Sequence, residues 1–504
     1  MQPNIVLIMA DQLAPQFMQA YGGAAITPHM DALAARGRRF DRAYCNSPLC
    51  VPSRASFMSG QHVTQIDAWD NAAEFPSSVP TFAHYLGALG YRSCLSGKMH
   101  FVGPDQKHGF TDRVTTDIYP SDFAWTPDWT KNDERIDIWY HNMQTVAESG
   151  TAIATYQTDF DDEADFAARR WLIDRARDKA VGQGQPWCLV ASYFHPHDPY
   201  VAKPEFWDLY DDADIPLPDL EMTPDQLDPF SRRVADGVEA TTQPMNREEM
   251  IRARRAYLAN TSYFDDMVGK IVATVEEMGE TDNTIFIVTS DHGDMLGERG
   301  MWFKMSFLEH SARIPLIMAG PGVQQGQDDT LCSLIDLLPT MVDIGGGVDG
   351  YAQLIGGRSL LPLCRGEGFD GEVIGEYCAE CAGAPVFMIR RGDLKYIHCD
   401  LDPPQLYDLS SDPQELRNLA SDPAYADVSA AFAREVAERW DAAAIKERVI
   451  ASQQSRLKLH EMMDTTGDNA WDYNPPRDAS NEYVRNHHDW VATATRARFP
   501  PLTE

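Results

Sequence analysis

Short, nearly unbroken apolar runs alternate with segments of helical period along the first 320 residues. Residues 4–10, NIVLIMA, form the first run, which stops at Asp11. A run this short and this apolar reads as a strand covered on both faces. The segment TPHMDALAARG (27–37) then reads as a helix, with Thr27 at the cap, Pro28 in the first turn and Gly37 beyond the end. Residues 78–90 repeat that pattern, and YRSCLSG (91–97) reads as a strand ending at Lys98. A helix over 162–180 leads to the strand WCLVASYF (187–194), which ends at His195. Residues 263–279 read as a helix, TIFIVTS (284–290) as a strand ending at Asp291, and PLIMAGPG as a further strand.

This alternation predicts an α/β fold built on a mixed, largely parallel sheet flanked by helices. Asp11, Lys98, His195 and Asp291 each follow directly on a strand-like segment. The crevice beyond the strand ends is where open α/β sheets bind ligands. After about residue 364 the pattern changes. VFMIRRGDLKYIHC (386–399) reads as a hairpin turning at 391–393, and QLYDLSSDPQELRNLA (405–420) as strand, turn and short helix. A helical stretch covers about 425–465, and the last forty residues are polar with little period. The expected organisation is a catalytic domain over 1–364, a smaller α+β subdomain over 365–450, and an extension over 451–504 placed in an oligomer interface.

Composition narrows the classes. The 504 residues are 43% hydrophobic and 24% charged, which suits a globular chain with a large core. Against 43 Lys and Arg stand 76 Asp and Glu, for a net charge of -33. That field disfavours nucleic acid and anionic membranes and favours approach of a cation. An anionic substrate needs a local basic pocket. The opening MQPN runs straight into the first strand with no basic region, so no secretory leader is expected, and no apolar run is long enough to span a membrane. The nine cysteines are odd in number and sparse, pointing to a reducing, cytoplasmic setting. The CxxC of Cys378 and Cys381 has no second pair at zinc-site spacing.

The stretch CNSPLCVPSRASFMSG (45–60) raises the sharpest chemical question. Cys50 can be a disulfide partner, a small buried side chain, a metal ligand or a nucleophile. If Ser53 caps a helix over ASFMSG, the helix N-terminus favours an anion beside Cys50 and lowers its thiol pKa. If the strands ending at Asp11 and Asp291 are neighbours, Asp11, Asp291 and His292 converge, and Gln12 adds a neutral oxygen. Such a set suits calcium or magnesium, while the imidazole leaves manganese or zinc open. Lys98, His100, His195 and Lys304 are the candidate anion-binding and acid–base groups. His197 reads as an ordinary core histidine.

The chain resembles the type I sulfatases of the alkaline phosphatase-like superfamily. Cys50-Val51-Pro52-Ser53-Arg54, with Gly60 six residues after Arg54, matches their C-x-P-S-R signature. Asp11, Lys98 and His100 in GKMH, Asp291 with His292, His195 and Lys304 match further family positions. TDIYPSDFAWTPDW (116–129), FHPHDPYV (194–201), DHGDMLGERGMWFK (291–304) and NEYVRNHHDW (481–490) resemble the choline sulfatase subgroup. Gln12 and His292 depart from the commoner aspartate and asparagine.

The resemblance implies hydrolysis of choline sulfate through a covalent sulfated intermediate on formylglycine. That group would be made from Cys50 by a formylglycine-generating or anaerobic sulfatase-maturing enzyme. It implies one divalent ion, calcium first, held by Asp11, Gln12, the Cys50 position, Asp291 and His292. Arg54 would position the nucleophile, Lys98 and Lys304 would hold sulfate oxygens, His100 would be the base, and His195 would serve the leaving oxygen. A quaternary ammonium has no N–H to donate, so its recognition calls for aromatic faces and negative charge. Asn71, Trp125, Trp129, Trp139, Tyr140, His141 and Asn142 are the candidates, with Asp489 reaching in from a neighbouring subunit of a dimer or tetramer. The competing readings are an aryl sulfate or phosphonate monoester hydrolase of the same chemistry, an enzyme using an unmodified Cys50 thiolate, and a non-catalytic cation-binding protein.

Overall fold

The computed structural model describes residues 2–131, 141–348, 356–465, 471–485 and 487–501. Trp139 and Tyr140 lie outside the described residues.

The main sheet runs in the order Gly326–Asp328, Arg38–Tyr44, Arg313–Ala319, Thr284–Ser290, Asn4–Asp11, Trp187–Pro196, Arg92–Gly97 and Asp112–Arg113, with Cys332–Ser333 also pairing Arg38–Tyr44. Asn4–Asp11 lies between two parallel partners, Trp187–Pro196 and Thr284–Ser290. Arg313–Ala319 is antiparallel to both its neighbours. The central strand buries both faces. Ile5, Leu7 and Met9 pack on one side with Phe57, Met58, Phe82 and Leu86, while Val6, Ile8 and Ala10 pack on the other with Ala164, Ala168, Phe264 and Met267. This is the two-residue period of a strand inside a three-layer fold. Helices Tyr156–Ala180 and Arg247–Glu277 cover the second side.

The strands fall where the apolar runs place them, but several helix boundaries differ. The helix expected from 162 begins at Tyr156, and the one expected from 263 begins at Arg247. Thr155 accepts from the Thr158 amide, and Asn246 accepts from the Glu248 and Glu249 amides. These caps start each helix earlier than expected, and the added length of the second one buries Ala253, Ala256, Tyr257 and Leu258. Thr27 does not cap its helix. Its hydroxyl donates to Asp31, and the His29 and Met30 amides are taken by Asp265 of the long Arg247–Glu277 helix. Among the described residues, 409–422 holds turns and no helix. Arg38–Tyr44, RRFDRAY, is a strand with no apolar run to announce it.

The C-terminal subdomain carries an antiparallel sheet of Glu372–Tyr377, Val386–Arg391, Leu394–Cys399 and Gln405–Asp408. Helices Ala426–Arg439 and Ala442–Asp464 follow. No described helix is long and apolar enough to cross a membrane. Lys395 of this sheet reaches the main domain. Fully buried, it donates to the Phe307 carbonyl at 2.8 Å and to Glu309 at 2.7 Å, and pairs with Glu415 at 2.6 Å. Removing one member of a buried ion network leaves the others uncompensated. Lys395→Met should therefore lower unfolding free energy by about 3–5 kcal/mol, read by urea denaturation.

Candidate active site

The site is assembled around one short helix, Cys50–Ser59. It begins at Cys50, with Leu49 at the cap, so Ser53 lies inside the first turn and does not cap it. The Ser53 hydroxyl instead donates to the Asp291 carbonyl at 2.6 Å. Pro52 sits where its missing N–H costs no helical hydrogen bond. Asn71 accepts from the Val51 amide at 3.0 Å, satisfying one of the first-turn donors. Gly60 closes the helix in the left-handed conformation at φ 66°.

Arg54 is one turn past Cys50 and shares its face. Its guanidinium donates to Asp291 at 2.8 Å, to Asp11 at 3.0 Å, to the Lys98 carbonyl at 2.8 Å and to Ser192 at 2.9 Å. Those four acceptors lie on or directly after four consecutive strands of the sheet. Lys98 pairs with Asp11, and its ammonium lies 3.7 Å from the Cys50 sulfur. It also sits 4.2 Å from the Tyr119 ring centroid. Burial alone would raise the Asp11 carboxyl, but Lys98, His197 and Arg54 outweigh it and hold the group well below the usual range.

Asp11, Cys50, Asp291 and His292 each offer a ligand atom within 4.8 Å of the others. His292 Nδ1 faces the Gly293 carbonyl at 3.1 Å, so that nitrogen carries the proton. Its Nε2 lone pair then points at the Cys50 sulfur, 3.4 Å away, with Asp11 at 3.8 Å and Asp291 at 3.7 Å. A carbonyl fixing the far nitrogen is the usual support of a metal-ligating histidine. Burial and Lys304 push His292 down to about 4, opposed by Asp291, so the neutral ligating form prevails. Two carboxylates and one imidazole around the Cys50 position fit a divalent cation. Gln12 is a less direct member. Its side-chain oxygen accepts from Lys304 at 2.6 Å, and its amide donates to Asp294 at 2.7 Å and Asp198 at 3.3 Å.

The expected placement of His195 is not what the fold gives. His195 Nδ1 pairs with Asp161 at 2.6 Å, and its ring packs edge-on against Tyr263. His197 takes the place at the cluster: its Nε2 meets the Lys304 ammonium at 2.8 Å and lies 3.8 Å from Asp11. Its Nδ1 donates to the Asp198 carbonyl at 2.6 Å, so Nε2 is the acceptor. The cause is the sheet register. Met9 pairs with Ser192 but Asp11 pairs with Pro196, so the Trp187–Pro196 strand carries two extra residues. Such an irregularity re-aims the side chains that follow it.

His100 holds a positive φ of 56°, and its amide donates to Asp117. Neither ring nitrogen has a hydrogen-bond partner among the described residues. Burial, aided by Lys98, pushes it down to about 3, so it stays neutral near pH 7. Burial and Asp11 push the Cys50 thiol up to about 11, against the pull of Lys304 and Lys98. The expected lowering by a helix N-terminus is overridden, because the buried sulfur faces a carboxylate. All nine cysteines are free, including Cys378 and Cys381.

Known proteins match this chain over most or nearly all of its length. The sulfatase family profile matches residues 3–348. A choline-sulfatase of Rhizobium meliloti (strain 1021) is 44% identical and covers 99% of both chains. The chain belongs to the sulfatase family. The profile for the choline sulfatase enzyme C terminus matches residues 447–499 of this sulfatase, and that for the N-sulphoglucosamine sulphohydrolase C-terminal region matches 297–441. Arylsulfatase K of Canis lupus familiaris is 30% identical over 81% of this sulfatase and 77% of its own length. The phosphonate monoester hydrolase SpPMH from Silicibacter pomeroyi has a TM-score of 0.68 at 25% identity, covering 87% of this sulfatase and 95% of its own chain.

The flank of the sulfatase site separates the remaining candidates. Trp125 packs edge-on against Tyr119 and His100, with centroids 4.8 and 5.7 Å away. His141 stacks on Phe303 and lies 5.4 Å from the His197 ring. Trp129 turns away into the core, where its indole donates to the Ala379 carbonyl at 2.9 Å. Asn142 caps the short helix Met143–Ala147, and the exposed Asp489 caps Trp490–Ala497. Glu380 is a group the sequence did not single out. It is buried, and neither carboxylate oxygen has a hydrogen-bond partner among the described residues. Burial and Asp70 push it up to about 8, while Lys304 and Arg456 pull the other way.

Two predictions follow from this geometry. Asp291→Asn and His292→Ala should each lower the divalent metal bound per chain at least about tenfold in dialysed protein, read by elemental analysis. If Glu380 meets a cationic substrate, its ionised form gains population as pH rises through about 8. KM for such a substrate should then fall from pH 6.5 to 9, and Glu380→Gln should flatten that limb.

Proposed function

We propose that this sulfatase hydrolyses choline sulfate to choline and inorganic sulfate. The observation carrying this reading is the 44% identity to a choline-sulfatase along essentially the full length of both chains. The site supports it with basic groups around Cys50 and, beside them, an aromatic and acidic flank of Trp125, His141 and Glu380.

Carried as formylglycine, the Cys50 position supplies an aldehyde whose hydrate offers two hydroxyls on one carbon, one to attack sulfur and one to expel sulfate as the carbonyl re-forms. A divalent ion, calcium first for the oxygen-rich donors and magnesium or manganese next, would be held by Asp11, Asp291 and His292, with Gln12 at the edge, and would lower the pKa of the attacking group. Arg54 fixes both carboxylates and so the direction of their free oxygens. Lys98 and Lys304 place positive charge where sulfate oxygens gain charge in the transition state. His100, neutral and with ring nitrogens that have no partner among the described residues, takes the proton that the second hydroxyl must lose. The leaving alkoxide of an alkyl ester needs a proton, and the Lys304–His197 pair is the donor at hand. The quaternary ammonium would lie against Trp125 and near Glu380, with Asp489 of a neighbouring subunit as a further anion in a dimer or tetramer. Nine free cysteines suit a reducing, cytoplasmic setting and a maturing enzyme that oxidises only Cys50.

A second reading has its own observation. The 0.68 TM-score to a phosphonate monoester hydrolase supports a site able to take aryl phosphonates or aryl sulfates by the same chemistry. An unmodified thiolate enzyme is separated from this reading by the chemical state of the Cys50 side chain.

Steady-state kinetics on choline sulfate, an aryl sulfate and an aryl phosphonate test the proposal. We expect kcat/KM for choline sulfate to exceed the others by at least about tenfold. An aryl ester that wins would sink it. Mass spectrometry of the Cys50 peptide from the native host should show the aldehyde, and fully active protein with an intact thiol would exclude the formylglycine route.

A further inference from the structure

Arg456 lies on the Ala442–Asp464 helix, far along the chain from Cys50, yet it is buried. Its guanidinium donates to both Asp70 oxygens at 2.7 Å, to the Thr126 hydroxyl at 3.2 Å and, through Nε, to Ser452 at 3.2 Å. Asp70 is fully buried, and it also accepts from the Ala72 amide at 3.0 Å. A bidentate guanidinium–carboxylate pair of this kind fixes geometry as well as charge. One turn earlier on the same helix face, Gln453 accepts from the Trp129 amide at 2.9 Å.

Each of these partners borders the flank described above. Asp70 precedes Asn71. Thr126 follows Trp125 and closes its turn by donating to the Phe123 carbonyl at 2.8 Å. Trp129 donates to Ala379, the residue before Glu380. One helix face therefore grips both ends of the 126–129 segment and, through Trp129, touches the Glu380 turn.

We propose that Arg456, with Gln453, is a positioning residue for cation recognition: the C-terminal helix acts as a strut that sets the Trp125 turn and the Glu380 turn at the distance a quaternary ammonium requires. The proposal rests on the choline sulfate reading. The strut acts on the leaving-group side and leaves the sulfur side to other contacts. The 70–73 turn is also closed by the Ala73 amide donating to the Asp70 carbonyl at 3.0 Å. The hold of Asn71 on the Cys50 helix therefore survives loss of Arg456.

The test is a comparison of choline sulfate with a neutral-tailed aryl sulfate in Arg456→Met, Arg456→Lys and Gln453→Leu, each checked for folding by thermal melting. In R456M, KM for choline sulfate should rise about tenfold with kcat within about twofold, and kcat/KM for the aryl ester should stay within about twofold. R456K should recover part of the loss, and Q453L should show a smaller rise confined to choline sulfate. If R456M does not fold, the double variant D70N/R456M, which leaves no lone buried charge, and Q453L carry the same comparison. Parallel losses on both esters, or an unchanged choline sulfate KM in the folded variants, would overturn the strut. Wild-type preference for the aryl ester would instead overturn the choline sulfate reading and this proposal with it.

Discussion

One buried guanidinium holds the site together. Arg54 binds groups at four consecutive strand ends, and all four are out of contact with water. A lysine there could not do this, because its point charge cannot engage four acceptors spread across the width of several strands. The arrangement also solves an electrostatic problem. Asp11 and Asp291 lie close together in a dry interior, where two carboxylates repel strongly. Arg54 and Lys98 neutralise them on one side, leaving the other side to the His292 lone pair and the Cys50 position. The cluster can thus exist before a metal arrives, and a metal finds donors already oriented.

The helix that delivers Arg54 is placed by the same logic. Its N-terminus is buried against the strand ends, so its free amides need partners, and Asn71 supplies one. Asn71 therefore belongs to the nucleophile helix, whatever else it touches. The pair of Asp70 and Asn71 links the C-terminal helix to the Cys50 helix. Asp70 answers to the C-terminal helix through Arg456, and Asn71 answers to the Cys50 helix.

Much of this was legible in the sequence because strand ends are chemically conspicuous. Four polar residues following four apolar runs located Asp11, Lys98 and Asp291 without a structure, and the C-x-P-S-R spacing located Cys50 and Arg54. His195 and His197 could not be told apart that way. Apolar runs fix which residues are in a strand but not a two-residue irregularity at its end, and that irregularity decides which histidine meets Lys304. Trp129 misled for a related reason. An indole N–H is satisfied as well by a backbone carbonyl in the core as by a ligand pocket, and only tertiary contact reveals the Ala379 oxygen. Glu380 carried no local signal, since its interest lies in being buried with no hydrogen-bond partner among the described residues.

The charge of the molecule fits the proposed substrate in a specific way. A net charge of -33 repels simple anions, yet the centre of the site is lined by Arg54, Lys98 and Lys304. An ordinary sulfate monoester, carrying one negative charge, must cross that outer field to reach them. Choline sulfate is a zwitterion with no net charge, so the outer field exerts little net pull or push and instead turns the molecule. In the proposed pose the two ends would meet opposite environments: cations at the sulfur side, an aromatic and acidic flank at the ammonium side. A substrate lacking the ammonium would enter against the field and leave Glu380 without a counterpart. With its carboxyl pushed up to about 8, Glu380 is largely protonated near pH 7 when it has no such counterpart, and an ammonium beside it would favour the ionised form. The rigidity of the flank matters for the same reason. An ammonium that cannot donate a hydrogen bond is held only by distance and orientation, and those are set by how firmly the surrounding turns are fixed.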